Sequence, residues 1–432
     1  MRKNHKQNFL PFSSEAGVIK SNSDDLLQVQ FFETRKLTET LVSRLSAEDQ
    51  MLQSMPEASP SKWHLAHTSW FFETFILKPR GVKVSTDPAF EFLFNSYYEQ
   101  VGPQFSRGQR GLLSRPSLEQ ILKYRRVIDL RFYELWESFN TNELALVALG
   151  IAHEQQHQEL IVTDIKHAFF HNPAYPALGK CSPASVNPIA LQWHEYPTGT
   201  YLIGAKNGFH FDNEAPQHEA LVHGFRLANR PATNAEYMNF IEDGGYRNSR
   251  YWLSDAWAWV KQTQPNAPLY WIEDGKKWLN YTLGGLLPVD PLLPVCHLNF
   301  YEAAAFAAWM GKRLPTEMEW EVAAAQVEPV GNFLNRQLLH PKAAVDSEAQ
   351  QPLQLFGDVW EWTQSAYLPY PGFKPGAGAV GEYNGKFMVN QWVLRGGSCA
   401  TPVGHIRATY RNFFPVATSW QFSGVRLADD IL

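Results

Sequence analysis

The sequence predicts an α+β multidomain chain, helical in its first part and built of short strands and long ordered loops in its second. Three observations carry this. From about residue 30 to residue 175, apolar residues recur at helical spacing. Residues 172–188, "NPAYPALGKCSPASVNP", then break the pattern with Pro, Ser and Gly. Beyond them the long periodic segments disappear, and Gly, Pro, Asn and Trp become frequent. A chain of 432 residues has room for two or three domains, each with an ample core.

Residues 1–27 begin with positive charge but have no apolar run behind it, so they read as a draped tail and not as a signal peptide. A first helix is expected near residues 28–53. A second starts at Ser59-Pro60, with Ser as cap and Pro in the first turn, and runs through "SKWHLAHTSWFFETFIL". A third begins at Ser117, where Leu118, Ile121, Leu122, Ile128, Leu135 and Trp136 fall close to helical spacing. A fourth runs from about Asn142 to Phe170. Four amphipathic helices pack most simply as a four-helix bundle, placed at residues 28–175. Residues 176–190 form the linker, and residues 191–432 form the second domain. There, "TNAEYMNFIEDGG" and "NFYEAAAFAAWMGKR" read as short helices, the first with a Thr233/Glu236 capping box. Residues 341–352 read as an exposed loop.

Composition narrows the function. With 38 Lys+Arg against 43 Asp+Glu and no basic stripe, neither nucleic acid nor an anionic membrane is an expected partner. No run of 18 apolar residues exists, so no membrane span is expected. The three cysteines, Cys181, Cys296 and Cys399, are far apart and form no CxxC, which points to a reducing cytoplasm. Aromatic residues reach 14%, with 15 Trp, enough to hold a loop-rich domain together or to line pockets.

The chemistry-bearing stretch is "IAHEQQHQEL", residues 151–160. His153, Glu154 and His157 match the H-E-x-x-H pattern of zinc proteases. On a helix, residues four apart share a face, so the two imidazoles can aim at one ion. The downstream extension of the metzincin proteases is absent. A better third ligand lies upstream, in "KWHLAHTSW", where His64 and His67 sit three residues apart on another helix. One ligand from one helix and two from a facing helix is how bundles build metal sites. Three neutral nitrogens leave open positions, which suits zinc hydrolysis and equally an Fe(II) ion that binds substrate and O2.

Five blocks in the second half, in order, carry a resemblance. They are "GTYLIGAKNGFHFDNEAPQHEALVHGFRLANRPATNAEYMNFIEDGGY", "PVCHLNFYEAAAFAAWMGKRLPTEMEWEVAA", "FGDVWEWTQSAY", "LRGGS" and "FSGVRLA". From about Leu191 to Leu432 the chain resembles the formylglycine-generating-enzyme-like domain, whose fold is C-type-lectin-like. The pair of nearby C-terminal cysteines of the true formylglycine-generating enzymes is missing, since near the C-terminus Cys399 stands alone. Joined to a DinB-like bundle with "HLAH" and "HEQQHQE", the chain resembles the sulfoxide synthases of ergothioneine biosynthesis. Their H-x3-H-x-E motif is met by His153, His157 and Glu159. That family couples a cysteine-type thiol to the imidazole C2 of Nα-trimethylhistidine, using O2.

The resemblance implies roles. His67, His153 and His157 match the iron(II) ligands, which leaves His64 as a neighbour or core residue. Gln156 matches a contact to the histidine substrate. Arg107 and Arg110, in "SRGQRGLLS", match the arginines that hold the sulfur donor's carboxylate, a group that suits the planar guanidinium fork. Asn412 and Phe413, in "ATYRNFFP", match the border of the histidine substrate, where an aromatic face suits a quaternary ammonium. Users of γ-glutamylcysteine carry Asp at the next position. This chain has Phe414, which implies free cysteine as donor. For the oxygen side, Tyr97 and Tyr98 match the cysteine-using branch, and Tyr367 with Tyr370 form a competing set. Glu159 is expected either to orient a ligand imidazole or to form a bundle ion pair. Relatives that transfer selenium or act on unmethylated histidine share this architecture. A zinc-dependent hydrolase or thiol transferase on the same bundle, and a binding module without catalysis, are readings from other classes.

Overall fold

The computed structural model describes residues 22–85, 87–179, 187–345, 351–376 and 378–431. Most of the expected tail, the middle of the linker with Cys181, and residues 346–350 of the expected exposed loop lie outside them. The helical part holds α1 (Asn22–Val42), α2 (Ser61–Phe72), a short α3 (Ala89–Leu93), α4 (Leu118–Leu135) and α5 (Thr141–Phe170). The four long helices form the bundle, with α1 along α5 and α2 against both α4 and α5.

The first helix differs from expectation at both ends. It starts at Asn22, with Asp24 and Asp25 in its first turn, where acidic side chains favour the positive end of the helix dipole. It stops at Val42, not near residue 53. Ser46 and Asp49 hydrogen-bond each other's backbone N–H there, at 2.9 and 3.1 Å, a local turn that competes with helix. The second helix is capped one residue late. Pro60, not Ser59, is its N-cap, which frees the Ser59 N–H and hydroxyl for other partners. Ser117 and Asn140 close full capping boxes with Gln120 and Glu143, fixing the starts of α4 and α5.

Gly150 lets α2 and α5 approach closely, because a Cβ there would run into the Phe72 ring. The contact lies one turn before His153. Elsewhere the bundle core is aromatic, with Phe31 stacked on Phe132 at 4.5 Å. It also holds an ion cluster. Arg35 donates to Glu154 at 3.0 Å and to Asp129 at 2.5 Å, and Arg125 donates to the other Glu154 oxygen. Thr38 adds a bond of 2.6 Å.

The second part is a set of small sheets wrapped by loops and helices. The largest has four strands, ordered Asn412–Phe414, Trp392–Arg395, Trp360–Ala366 and Ser423–Gly424, the last pair parallel. The two expected helices are present at Asn234–Glu242 and Phe300–Trp309, the first with the Thr233/Glu236 capping box. Loops this long carry backbone carbonyls that no ladder satisfies. Buried arginines serve them. Arg426 pairs with Glu361 and donates to the carbonyls of Ala228 and Leu353. Arg411 pairs with Glu317 and donates to those of Asn213 and Leu368. Arg395 pairs with Glu317 and Glu321 and donates to those of Ala408 and Tyr410.

The two parts meet along α5. Glu159, buried, accepts from Trp360 Nε1 at 2.8 Å, from Thr401 Oγ1 at 2.7 Å and from Ser398 Oγ. It therefore neither orients a ligand imidazole nor forms an ion pair in the bundle. Lys166 Nζ lies 2.6 Å from His297 Nε2. Glu382 of the second part accepts from the backbone of Glu99 and Gln100, each at 3.0 Å, and so anchors the loop that carries Tyr97 and Tyr98.

The ion cluster sets a stability prediction. Burial alone would raise the Glu154 carboxyl, but Arg125 and Arg35 outweigh it and hold the group at about 2. An unfolded glutamate titrates near ~4.3. This pair's stabilisation is therefore complete above the unfolded value and is lost as pH falls from there towards 2. Glu154→Gln removes the counter-ion that the two buried guanidiniums share, at a cost of about 3–5 kcal/mol. Chemical denaturation at neutral pH should show that loss. The variant's stability should also fall less steeply than the wild type's as pH drops below ~4.3.

Candidate metal centre

His67 on α2 and His153 and His157 on α5 bring their Nε2 atoms together. His67 Nε2 lies 3.1 Å from His153 Nε2, which lies 3.0 Å from His157 Nε2. All three side chains are buried, as the packing of α2 on α5 requires. Burial, the largest effect, lowers all three imidazoles, His153 to about 3 and the other two well below the ordinary histidine range. Burial thus favours the neutral imidazole, which is the form that binds metal.

Each ring is placed by its neighbours. His67 lies between Trp63, stacked at 4.6 Å, and Trp70, stacked at 5.6 Å. Its Nδ1 donates to the Phe94 carbonyl at 2.7 Å, which leaves the Nε2 lone pair for a metal. His157 Nδ1 is 2.7 Å from His64 Nδ1. Phe71 packs on His153 at 4.6 Å, and His153 Nδ1 is buried without a hydrogen bond among the described residues. The donor set fits a transition metal. Two nitrogens 3.0 Å apart, each at a normal bond length of ~2.1 Å, subtend an angle of about 90°. That angle is tighter than a tetrahedral site provides and suits neighbouring ligands of a higher-coordinate ion.

Glu154 is not at this centre. It follows His153 by one residue, so it lies about 100° further round the helix, and it is sealed in the Arg35–Arg125 cluster. A zincin's general base is therefore missing.

The arginines differ from each other. Arg110 is buried, with its guanidinium 3.4 Å from the Trp63 ring centre and one bond of 3.0 Å to Ser59 Oγ. Its Nε is buried without a partner among the described residues, and burial, reinforced by Arg107, lowers the group to about 9. Arg107 begins the same short turn but is exposed, and it donates to the Glu57 carbonyl. A buried cation with an idle donor is suited to an anionic ligand.

Gln156 joins the two parts. Its Nε2 donates to the Tyr410 hydroxyl at 2.7 Å, and its Oε1 accepts from Tyr383. Tyr410 is in turn 3.0 Å from His405 Nε2. Tyr383 is the phenol that sequence reasoning missed. Its ring sits 5.7 Å from the His153 ring, and burial keeps its hydroxyl protonated. Nothing in "GEYNGKF" marks it, since the partner that gives it meaning is 227 residues away.

Tyr98 is buried beside Tyr97, with ring centres 4.7 Å apart, and is 5.7 Å from Trp70, the ring that stacks on His67. Among the described residues its hydroxyl has no hydrogen bond of normal geometry. The other tyrosine set is committed elsewhere. The Tyr367 hydroxyl accepts from Asn213 at 2.8 Å, and Tyr370 accepts from Arg395 at 3.1 Å. Strand alternation separates the three residues of Asn412–Phe414. Phe413 stacks on Tyr367 at 4.0 Å and continues through Phe387 to Tyr97, whereas Phe414 meets Trp420. Asn412 pairs with Leu394 in the sheet.

Residues 195–431 match the family described as the sulfatase-modifying factor enzyme 1-like domain. Three relatives named hercynine oxygenase match both parts of the chain. That of Mycolicibacterium thermoresistibile is 32% identical over 93% of this chain and 94% of its own. That of Mycolicibacterium smegmatis is 30% identical over 88% and 93%, and that of Mycobacterium tuberculosis 31% over 87% and 92%. With three imidazoles converging between the helices and kinship along almost the whole length, the chain belongs to the hercynine oxygenase family of oxidoreductases.

Proposed function

We propose that this chain is an Fe(II)- and O2-dependent sulfoxide synthase of ergothioneine biosynthesis, joining the sulfur of cysteine to the imidazole C2 of Nα-trimethylhistidine. One observation carries the reading: three imidazoles converge while the Glu154 of the same motif is turned away and neutralised. A zinc protease needs that glutamate at its metal. An oxygenase does not.

His67, His153 and His157 would hold the iron. A bound Fe(II) supplies electrons for dioxygen chemistry and open positions for a thiol. The chain's own groups do the rest. Arg110, with its idle Nε, takes the donor's carboxylate in a planar fork, and Arg107 adds positive charge at the rim. Gln156 offers its amide to the histidine substrate from between two phenols. Tyr97 and Tyr98 hold phenolic protons near the centre for delivery to reduced oxygen, and Tyr383 holds another on the His153 side. Burial of the ligands excludes bulk water.

Anaerobically purified chain should carry about one iron per molecule and consume O2 only with both cysteine and trimethylhistidine present. His153→Ala should lose the iron. A zinc-loaded chain that hydrolyses a substrate and takes up no O2 would end this reading.

Phe414 sets the donor prediction. It is half-buried on the strand paired with Trp392 and offers no anion to a second ammonium group. Leaving such an ammonium unpaired costs about 3 kcal/mol, roughly 100-fold. In competition kinetics, cysteine should therefore exceed γ-glutamylcysteine in kcat/KM by about that factor. Phe414→Asp should narrow the gap about tenfold. Equal efficiency with the two thiols would show that Phe414 does not choose the donor.

A further inference from the structure

His64 is a histidine of the centre that is not a ligand of it. It shares α2 with His67 and is 2% exposed. Its Nδ1 lies 2.7 Å from Nδ1 of His157, and its Nε2 lies 3.0 Å from Oδ2 of Asp164. The same Asp164 oxygen accepts the Ser59 backbone N–H at 2.9 Å, and Ser59 Oγ accepts from Arg110. All five residues are buried. The hydrogens along this line have one consistent arrangement. Asp164 accepts only, so His64 donates from Nε2. A neutral His64 then has a lone pair at Nδ1, which accepts the proton on His157 Nδ1. That places the His157 lone pair on Nε2, the atom facing His153 and His67.

We infer that His64, held by Asp164, is a positioning residue: it fixes the tautomer and ring orientation of His157 so that Nε2 is presented to the metal. The inference rests on the reading of His67, His153 and His157 as metal ligands. Among the three, His67 obtains the same service from the Phe94 carbonyl, and His153 has no partner at Nδ1 among the described residues. Each anchored ligand thus has its own acceptor, one from the backbone and one from a side chain. Only the side-chain one can be removed by substitution. Its line also runs on to Arg110, so orientation of the ligand and placement of the arginine share one carboxylate.

The test measures metal affinity on the full chain by Co(II) titration and by Fe(II) competition with a chelator, without turnover. His64→Leu keeps bulk but removes the acceptor. It should weaken binding about 10–100-fold, the usual effect of losing such an outer partner, and shift the Co(II) absorption bands. His64→Gln, whose carbonyl can accept from His157, should recover most of the affinity. Asp164→Leu should weaken binding in the same direction as His64→Leu. His64→Leu binding within threefold of wild type overturns the inference. So does equal loss in His64→Leu and His64→Gln, which would mean that the ring acts by shape alone. A wild-type chain that binds neither metal overturns the ligand reading itself, a separate result. Should His64→Leu not fold, nitrogen-15 histidine NMR of the Zn(II)-loaded wild type decides. A proton on His157 Nδ1 is expected, and an Nε2–H His157 overturns the inference.

Discussion

A buried carboxylate with no cation beside it among the described residues ties the two halves of this molecule together. Glu159 leaves the bundle on α5 and takes its hydrogen bonds from three neutral donors of the second domain, Trp360, Ser398 and Thr401. An anion removed from water must have its acceptor sites filled or be neutralised. Among the described residues the partners that fill them all lie across the seam, so the bundle cannot drift from the second domain without stranding the charge. Burial raises the Glu159 carboxyl while the three donors lower it. The centre depends on this contact, because Gln156, one turn back on the same helix, meets Tyr383 and Tyr410 only when the seam is closed.

The same helix shows why a short motif has two readings. H-E-x-x-H specifies that two imidazoles share a face, and nothing more. The chemistry is decided by what surrounds residue 154. Here Arg35, Arg125 and Thr38 saturate its carboxylate on the far side of α5, and the His153 face is left to imidazoles, indoles and phenols. The bundle thus seals the Glu154 ion cluster on the side of the helix away from the His153 imidazole.

Local and periodic features were legible in the sequence. The Ser117 cap, the Thr233 box and the His153/His157 pair all depend on neighbours within four residues. Kinship supplied what spacing could not, the choice of His67 over His64. The missed features are those whose partners are remote. Tyr383 gains meaning from Gln156, and Asp164 from His64 and Ser59, across 100 residues or more. The arginine–carbonyl anchors of the second domain are equally silent, because a loop carbonyl has no side-chain signature. The shift of the α2 cap from Ser59 to Pro60 belongs here too: Ser59 is drawn off to Asp164 and Arg110, a tertiary demand that overrode a local preference.

The 30 residues of α5 make a rod about 45 Å long. Along it, Glu154 faces the bundle's arginines, His153 and His157 face α2, Gln156 faces the phenols, and Glu159 and Lys166 face the second domain. These are separate compass bearings on one shaft. Adding or removing a single residue between Glu154 and Glu159 would turn everything beyond it by about 100°. The metal ligands and the domain contact would then lose alignment together. The loops on either side can lengthen or shorten without that penalty. In this segment the length of the chain is constrained as tightly as its residue identities, and an insertion there would be more damaging than most substitutions.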